Sequence, residues 1–148
     1  NGTMPDLLFP LNPNLSAWVT FAGAPVAGNG TLTIERRTSD FSAASSKGIN
    51  VNRLLQQCWD ITPAGGFTFG TATVAFTYNE TLLGSELASE ADINMVFAVD
   101  AGTVRYFTGP SMILDTAGNK ITATGVDRFS TWFAGNSSAS VGDSFMLF

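Results

Sequence analysis

TATVAFTY, residues 71–78, decides the fold. Ala72, Val74, Phe76 and Tyr78 share one side of an extended chain, and threonines line the other. Period-two alternation of this kind marks a half-buried β-strand. Threonine on the wet side adds strand propensity without adding hydrophobicity.

The same grammar recurs outward from this run. TLTIER (31–36), SAWVTFA (16–22), GTVRYFT (102–108), SMILD (111–115), KITATGV (120–126) and RFSTWFA (128–134) all read as strands. So do QQCWDI (56–61) and the terminal DSFMLF (143–148). INMVFAV (93–99) is apolar on both faces, which marks a central strand or one covered on its outer side. Gly, Asn, Asp and Pro fill the connections, where the chain must reverse. Ala117-Gly118-Asn119-Lys120 is a hairpin turn by composition.

Helical periodicity is nearly absent. VNRLLQQC (51–58) supports one or two turns at most, and TLLGSELASEAD (81–92) one. The prediction is an all-β chain of about ten strands forming an antiparallel β-sandwich, Ig-like or jelly-roll-like. Residues 1–148 form a single domain in this reading. An extended N-terminal segment (1–14) carries Pro5, Pro10 and Pro13 and runs along the body or docks on a neighbour. TSDFSAASSKGINVN (38–52) reads as a long surface loop, and 143–148 as a C-terminal strand.

Only 13% of the 148 residues are charged, where about 25% is ordinary. The surface is therefore covered by Thr, Ser, Asn and Gly, which suits an extracellular protein or a subunit partly covered by neighbours. The net charge is −5 and no basic patch offsets it, so no nucleic-acid partner is expected. No stretch approaches the roughly 18 consecutive apolar residues of a membrane span. The opening NGTMPDLLFP does not read as a signal peptide, so the chain is a mature product or an excerpt.

Chemistry-bearing motifs are scarce. There is no histidine and one cysteine, Cys58, which removes imidazole-activated nucleophiles and thiolate metal clusters. Cys58 reads as a small buried hydrophobe. Glu80, Glu86, Glu90 and Asp92 cluster in 79–92. This is a solvated acidic loop, with a cation or sugar site as the functional alternative. The expectation is no enzyme activity, no metal and no cofactor. Among the aromatics, Trp59 reads as a core anchor. Trp132, Tyr106 and Trp18 are candidates for an exposed face that stacks on sugars.

Trp59 and Ile61 in CWDI, Tyr78, Glu80 and Leu82-Leu83 in TYNETLL, and Thr122–Val126 with Phe129 and Ser130 carry a resemblance. Over about residues 18–135 the chain resembles the β-sandwich module near the C-terminal end of large secreted proteins of type IX-secreting Gram-negative bacteria. Cys58 stands where an aromatic is usual. The resemblance implies a non-catalytic extracellular module in surface and adhesive proteins, with Gly125 allowing a bend and Val126 and Phe129 plugging the core.

Two functions follow as expectations. The first is a structural or assembly module of a surface filament, sheath or adhesin, partnered by itself or by neighbouring domains. Its contacts would run through Phe145, Met146, Leu147 and Phe148 at one end and Leu7, Leu8 and Phe9 at the other. The second is a glycan-binding module using Trp132, Tyr106 and Trp18.

Overall fold

The computed structural model describes residues 7–12, 15–22, 31–66, 69–100 and 103–140. Among them run ten strands: β1 (Leu7–Asn12), β2 (Leu15–Ala22), β3 (Thr31–Arg37), β4 (Cys58–Ala64), β5 (Thr71–Thr77), β6 (Met95–Val99), β7 (Val104–Phe107), β8 (Met112–Asp115), β9 (Lys120–Val126) and β10 (Thr131–Gly135). They form two five-stranded antiparallel sheets, ordered β1-β2-β5-β9-β8 and β3-β4-β10-β6-β7. The fold is a β-sandwich. The expected strand 143–148 lies outside the described residues.

Alternation explains the layering. Ala17, Val19, Ala72, Val74, Phe76, Ile121 and Ala123 from the first sheet meet Trp59, Ile61, Val96, Ala98, Trp132 and Ala134 from the second in one buried cluster. Trp59 stacks on Phe76 at 4.4 Å between ring centroids, and Trp132 lies 5.4 Å from Phe107 and 6.2 Å from Phe76. Phe69 stacks on Phe129 at 4.8 Å beside this cluster, and Val126 is fully buried in it.

Gly125, expected to allow a bend, lies within β9 at φ +71. Ala72 pairs with Val126 but Val74 pairs with Ala123, so β9 holds one extra residue there. A bulge of this kind needs a residue that tolerates positive φ.

The segment expected to extend along the body does so from Leu7 to Asn12, where β1 is an edge strand paired with β2. Pro10 fits an edge strand, where a missing N–H need not break a ladder.

The largest departure from the sequence reading is at 38–54. The surface loop expected at 38–52 is a strap laid over the outer face of the second sheet, with buried side chains of its own. It contains a four-residue helix, α1 (Ser42–Ser45), and a 3-10 turn at Val51–Arg53. Ala44, Ile49 and Leu54 are buried in a second apolar cluster with Cys58, Phe97, Val99, Phe133 and Ala139. The double-sided apolar pattern of β6 and β10 is thereby explained: one face meets the first sheet and the other meets the strap. The cover foreseen for this face is supplied by the chain itself.

The strap leaves through a tight passage. Leu54 bridges Gly135 and Leu55 bridges Leu83, while Leu54 O accepts from Gly84 N at 2.9 Å. A Cβ on Gly135 would sit 2.4 Å from Arg53 O, and one on Gly84 2.2 Å from Asn52 O. Both positions are glycine because main chain passes where a side chain would be.

Candidate functional site

Two outer faces are available for function, and they differ in what covers them. On the second sheet, alternation turns Asp60, Thr131 and Val99 outward beside the strap. Asp60 is the centre of a three-strand clasp. Its Oδ2 accepts from Arg37 Nε at 2.7 Å and its Oδ1 from Thr131 Oγ1 at 2.7 Å and Arg37 Nη2 at 3.3 Å. Arg37 Nη1 also donates to the carbonyls of Ser39 and Asp40, tying the strap's entry to the same point. Burial pushes the Asp60 carboxyl up, but the bonds from Arg37 and Thr131 outweigh it and hold it below its ordinary value.

The sign of the pH effect follows. A depressed carboxylate adds stability above its unfolded pKa, about 3.9, and loses it as pH falls through the lower folded value. Asp60→Asn is expected to cost about 1–2 kcal/mol at neutral pH, since a charged hydrogen-bond partner is lost from a half-buried site. The gap between wild type and variant should narrow on acidification below pH about 4. Urea midpoints at pH 7 and pH 3 check this; an equal gap at both would assign the loss to packing.

Beside the clasp, a shallow cleft of about 320 Å³ separates strap from sheet, lined by Ala43, Ser46, Lys47, Val99, Asp100 and Thr131.

The outer face of the first sheet is different in character. Leu8, Trp18, Ala75, Thr122 and Ile113 lie opposite one another in a single register row across all five strands. Thr20 and Thr73 form the next row on one side. Thr77, Lys120 and Asp115 form the next on the other. Lys120 and Asp115 are opposite charges in cross-strand register. Ile113 is 55% exposed, on the edge strand β8.

The expected site residues divide accordingly. Trp132 is 1% exposed and offers no ring face to a sugar: it sits inside the sandwich because Phe133, its neighbour in β10, takes the outward position under the strap. Tyr106 is 44% exposed on edge strand β7, its ring edge-on to Phe97 at 5.7 Å. Trp18 occupies a position in β2 opposite Ala75, on the other sheet, so these three aromatics do not share a face. Leu7, Leu8 and Phe9 pair with Val19, Trp18 and Ala17 of the same chain. Phe145, Met146, Leu147 and Phe148 lie outside the described residues.

The acidic loop is structured rather than merely solvated. Leu87 and Ile93 anchor it in the core, and the fully buried Gln57 accepts from Asn79 N at 2.8 Å. Glu86 pairs with Arg53 at 3.0 Å. Glu90 accepts from Tyr78 Oη at 3.0 Å, and burial together with that carboxylate raises the phenol. Glu80 is raised by its hydrogen bond with Glu90 and the like charge there. Among the described residues no three His, Cys, Asp or Glu side chains converge as a metal cage. No helix of the described residues is long and apolar enough to cross a membrane.

No family model, curated protein or solved structure matches this chain.

Sequence reasoning did not find the Asp60 clasp. Its signal was available only as alternation in CWDI, where Asp60 falls on the face opposite Trp59 and Ile61.

Proposed function

We propose that this chain is a non-catalytic extracellular module that works by surface contact, as a domain or subunit of a bacterial surface filament, sheath or adhesin. The outer face of the first sheet carries the reading. Its described side chains are chiefly threonine, with one lysine and one aspartate, and its register row ends on exposed Ile113 at an edge strand. A face so poor in charge has little to repel a matching surface. An apolar residue on a sheet edge favours strand-to-strand docking unless charge or proline blunts it. The resemblance of Trp59, Tyr78 and Thr122–Val126 to a secreted module points the same way.

The partner is a second copy of this chain, or an adjoining domain presenting the same chemistry. Sedimentation velocity across a concentration series tests the first. Self-association is expected, weakened at least about tenfold by Ile113→Lys, because a buried unpaired charge costs more than one hydrophobic contact contributes. Circular dichroism should be unchanged, since Ile113 is exposed. A wild-type chain that stays monomeric throughout, or one whose association ignores the substitution, counts against this face.

A further inference from the structure

The strap over the second sheet is built differently from the sheets it covers. Its helical part is bounded by two residues at positive φ, Asp40 (φ 62) and Gly48 (φ 82). Between them α1 has four residues and no side-chain cap at its start, far too short to hold itself. From Ala44 to Ile49 the backbone N–H groups bond to carbonyls within the strap: Ala44 and Ser45 to Phe41, Ser46 to Ser42, Lys47 and Ile49 to Ala44, Gly48 to Ser45. The first backbone bond beyond this piece is Asn50 N to Ala139 O at 2.8 Å. The piece is thus an internally bonded turn of chain seated on β6 and β10 through side chains, chiefly Phe41, Ala44 and Ile49. Phe41 meets Phe133 edge-on at 6.3 Å. A cleft of about 320 Å³, lined by Ala43, Ser46, Val99 and Thr131 among others, lies between it and the sheet.

We propose that residues 40–49 lift from the second sheet as one unit while the sandwich stays folded, so that Cys58 is a thiol gated by this strap. Opening needs no backbone bond between strap and sheet to break within 44–49, and the piece turns on its two held ends, Asp40, whose carbonyl accepts from Arg37, and Asn50, bonded to Ala139. Cys58 belongs to the cluster under the strap and is fully buried. Burial pushes its thiol up to about 12, so while covered it presents no thiolate to a reagent. Lifting the strap uncovers Cys58 with the rings of Phe97 and Phe133, and gives this face a second, transient state.

Native-state labelling of Cys58 with excess 5,5′-dithiobis(2-nitrobenzoate) tests this, followed by absorbance at urea concentrations below the unfolding transition. The labelling rate should rise with urea far less steeply than global unfolding does. Two variants separate local from global opening. Phe41→Ala removes a strap contact and should speed labelling at least about tenfold. Ile121→Val weakens only the sandwich core, on the far sheet. It should lower the global midpoint yet change labelling less than about twofold, whereas labelling through global unfolding would speed about fivefold. A rate with the full urea dependence of unfolding, a rate no faster than global unfolding permits, or acceleration by Ile121→Val would each overturn the proposal.

Discussion

Trp59→Ala should lower stability by about 3–5 kcal/mol, enough to leave many domains of this size barely folded. The indole is 1% exposed and stacked on Phe76, and it stands opposite Trp132 in the pairing of β4 with β10. Removing it opens a cavity where the two sheets meet, bounded by strands that are hydrogen-bonded to their neighbours and cannot close on it. Trp59→Phe should cost much less than alanine. It keeps a ring against Phe76 and also deletes an indole N–H that is buried with no partner among the described residues. A buried donor without an acceptor is itself unfavourable by about 1–3 kcal/mol, and its removal offsets part of the lost contact. Urea titration followed by circular dichroism distinguishes the two. Equal losses for Ala and Phe would mean that the indole nitrogen, not the ring area, decides the site.

Gly135→Ala is the second large effect, expected at about 3 kcal/mol although it adds one methyl group. The new Cβ would lie 2.4 Å from Arg53 O and 2.7 Å from Leu54 Cα, and both are main-chain atoms that no rotamer change can move. Either β10 or the strap's exit must shift. Shifting β10 disturbs its pairing with both β4 and β6; shifting the exit breaks the Leu54 bridge. Gly84 presses on the same stretch from the other side, against Asn52 O and Leu54 O. The two alanines together should therefore cost more than the sum of each alone, because a segment pushed away from one new methyl is pushed into the other. Additive losses would show that the two contacts yield independently.

The strands were readable because their chemistry is local. Threonine alternating with Ala, Val and Phe over 71–77 requires only neighbours along the chain to be recognised, and β9 repeats it in KITATGV. The doubly apolar run at 93–99 marked a central strand or one covered on its outer side, and β6 is an interior strand with the strap over its outer face. The identity of the cover was not readable. Phe41, Ala44, Ile49 and Leu54 are spaced by three, five and five, which matches neither a strand nor a helix, because the strap is one turn of helix, a left-handed residue and a 3-10 turn in succession. Ser, Ala and Gly between them carry no period at all. For the same reason Trp132 was open to an exposed reading: from the sequence, Trp132 and Phe133 cannot both be inside unless something lies over the sheet. Asp60, Arg37 and Thr131 come from three strands far apart in sequence and meet only through register. The glycine passage at 84 and 135 is likewise a meeting of distant backbones, invisible to any local pattern.

The position of β10 bears on how the molecule is made. It is the last strand of the described chain, yet it lies in the middle of its sheet, hydrogen-bonded to β4 on one side and β6 on the other. A polypeptide emerging amino end first from a ribosome or a translocation pore therefore presents β4 and β6 with a vacant slot between them until residue 135 is out. Long-range pairings of this kind form slowly and leave unpaired edges open to the wrong neighbour in the meantime. The second sheet is in effect a zip whose middle teeth, those of β10, come later in the chain than the teeth on either side.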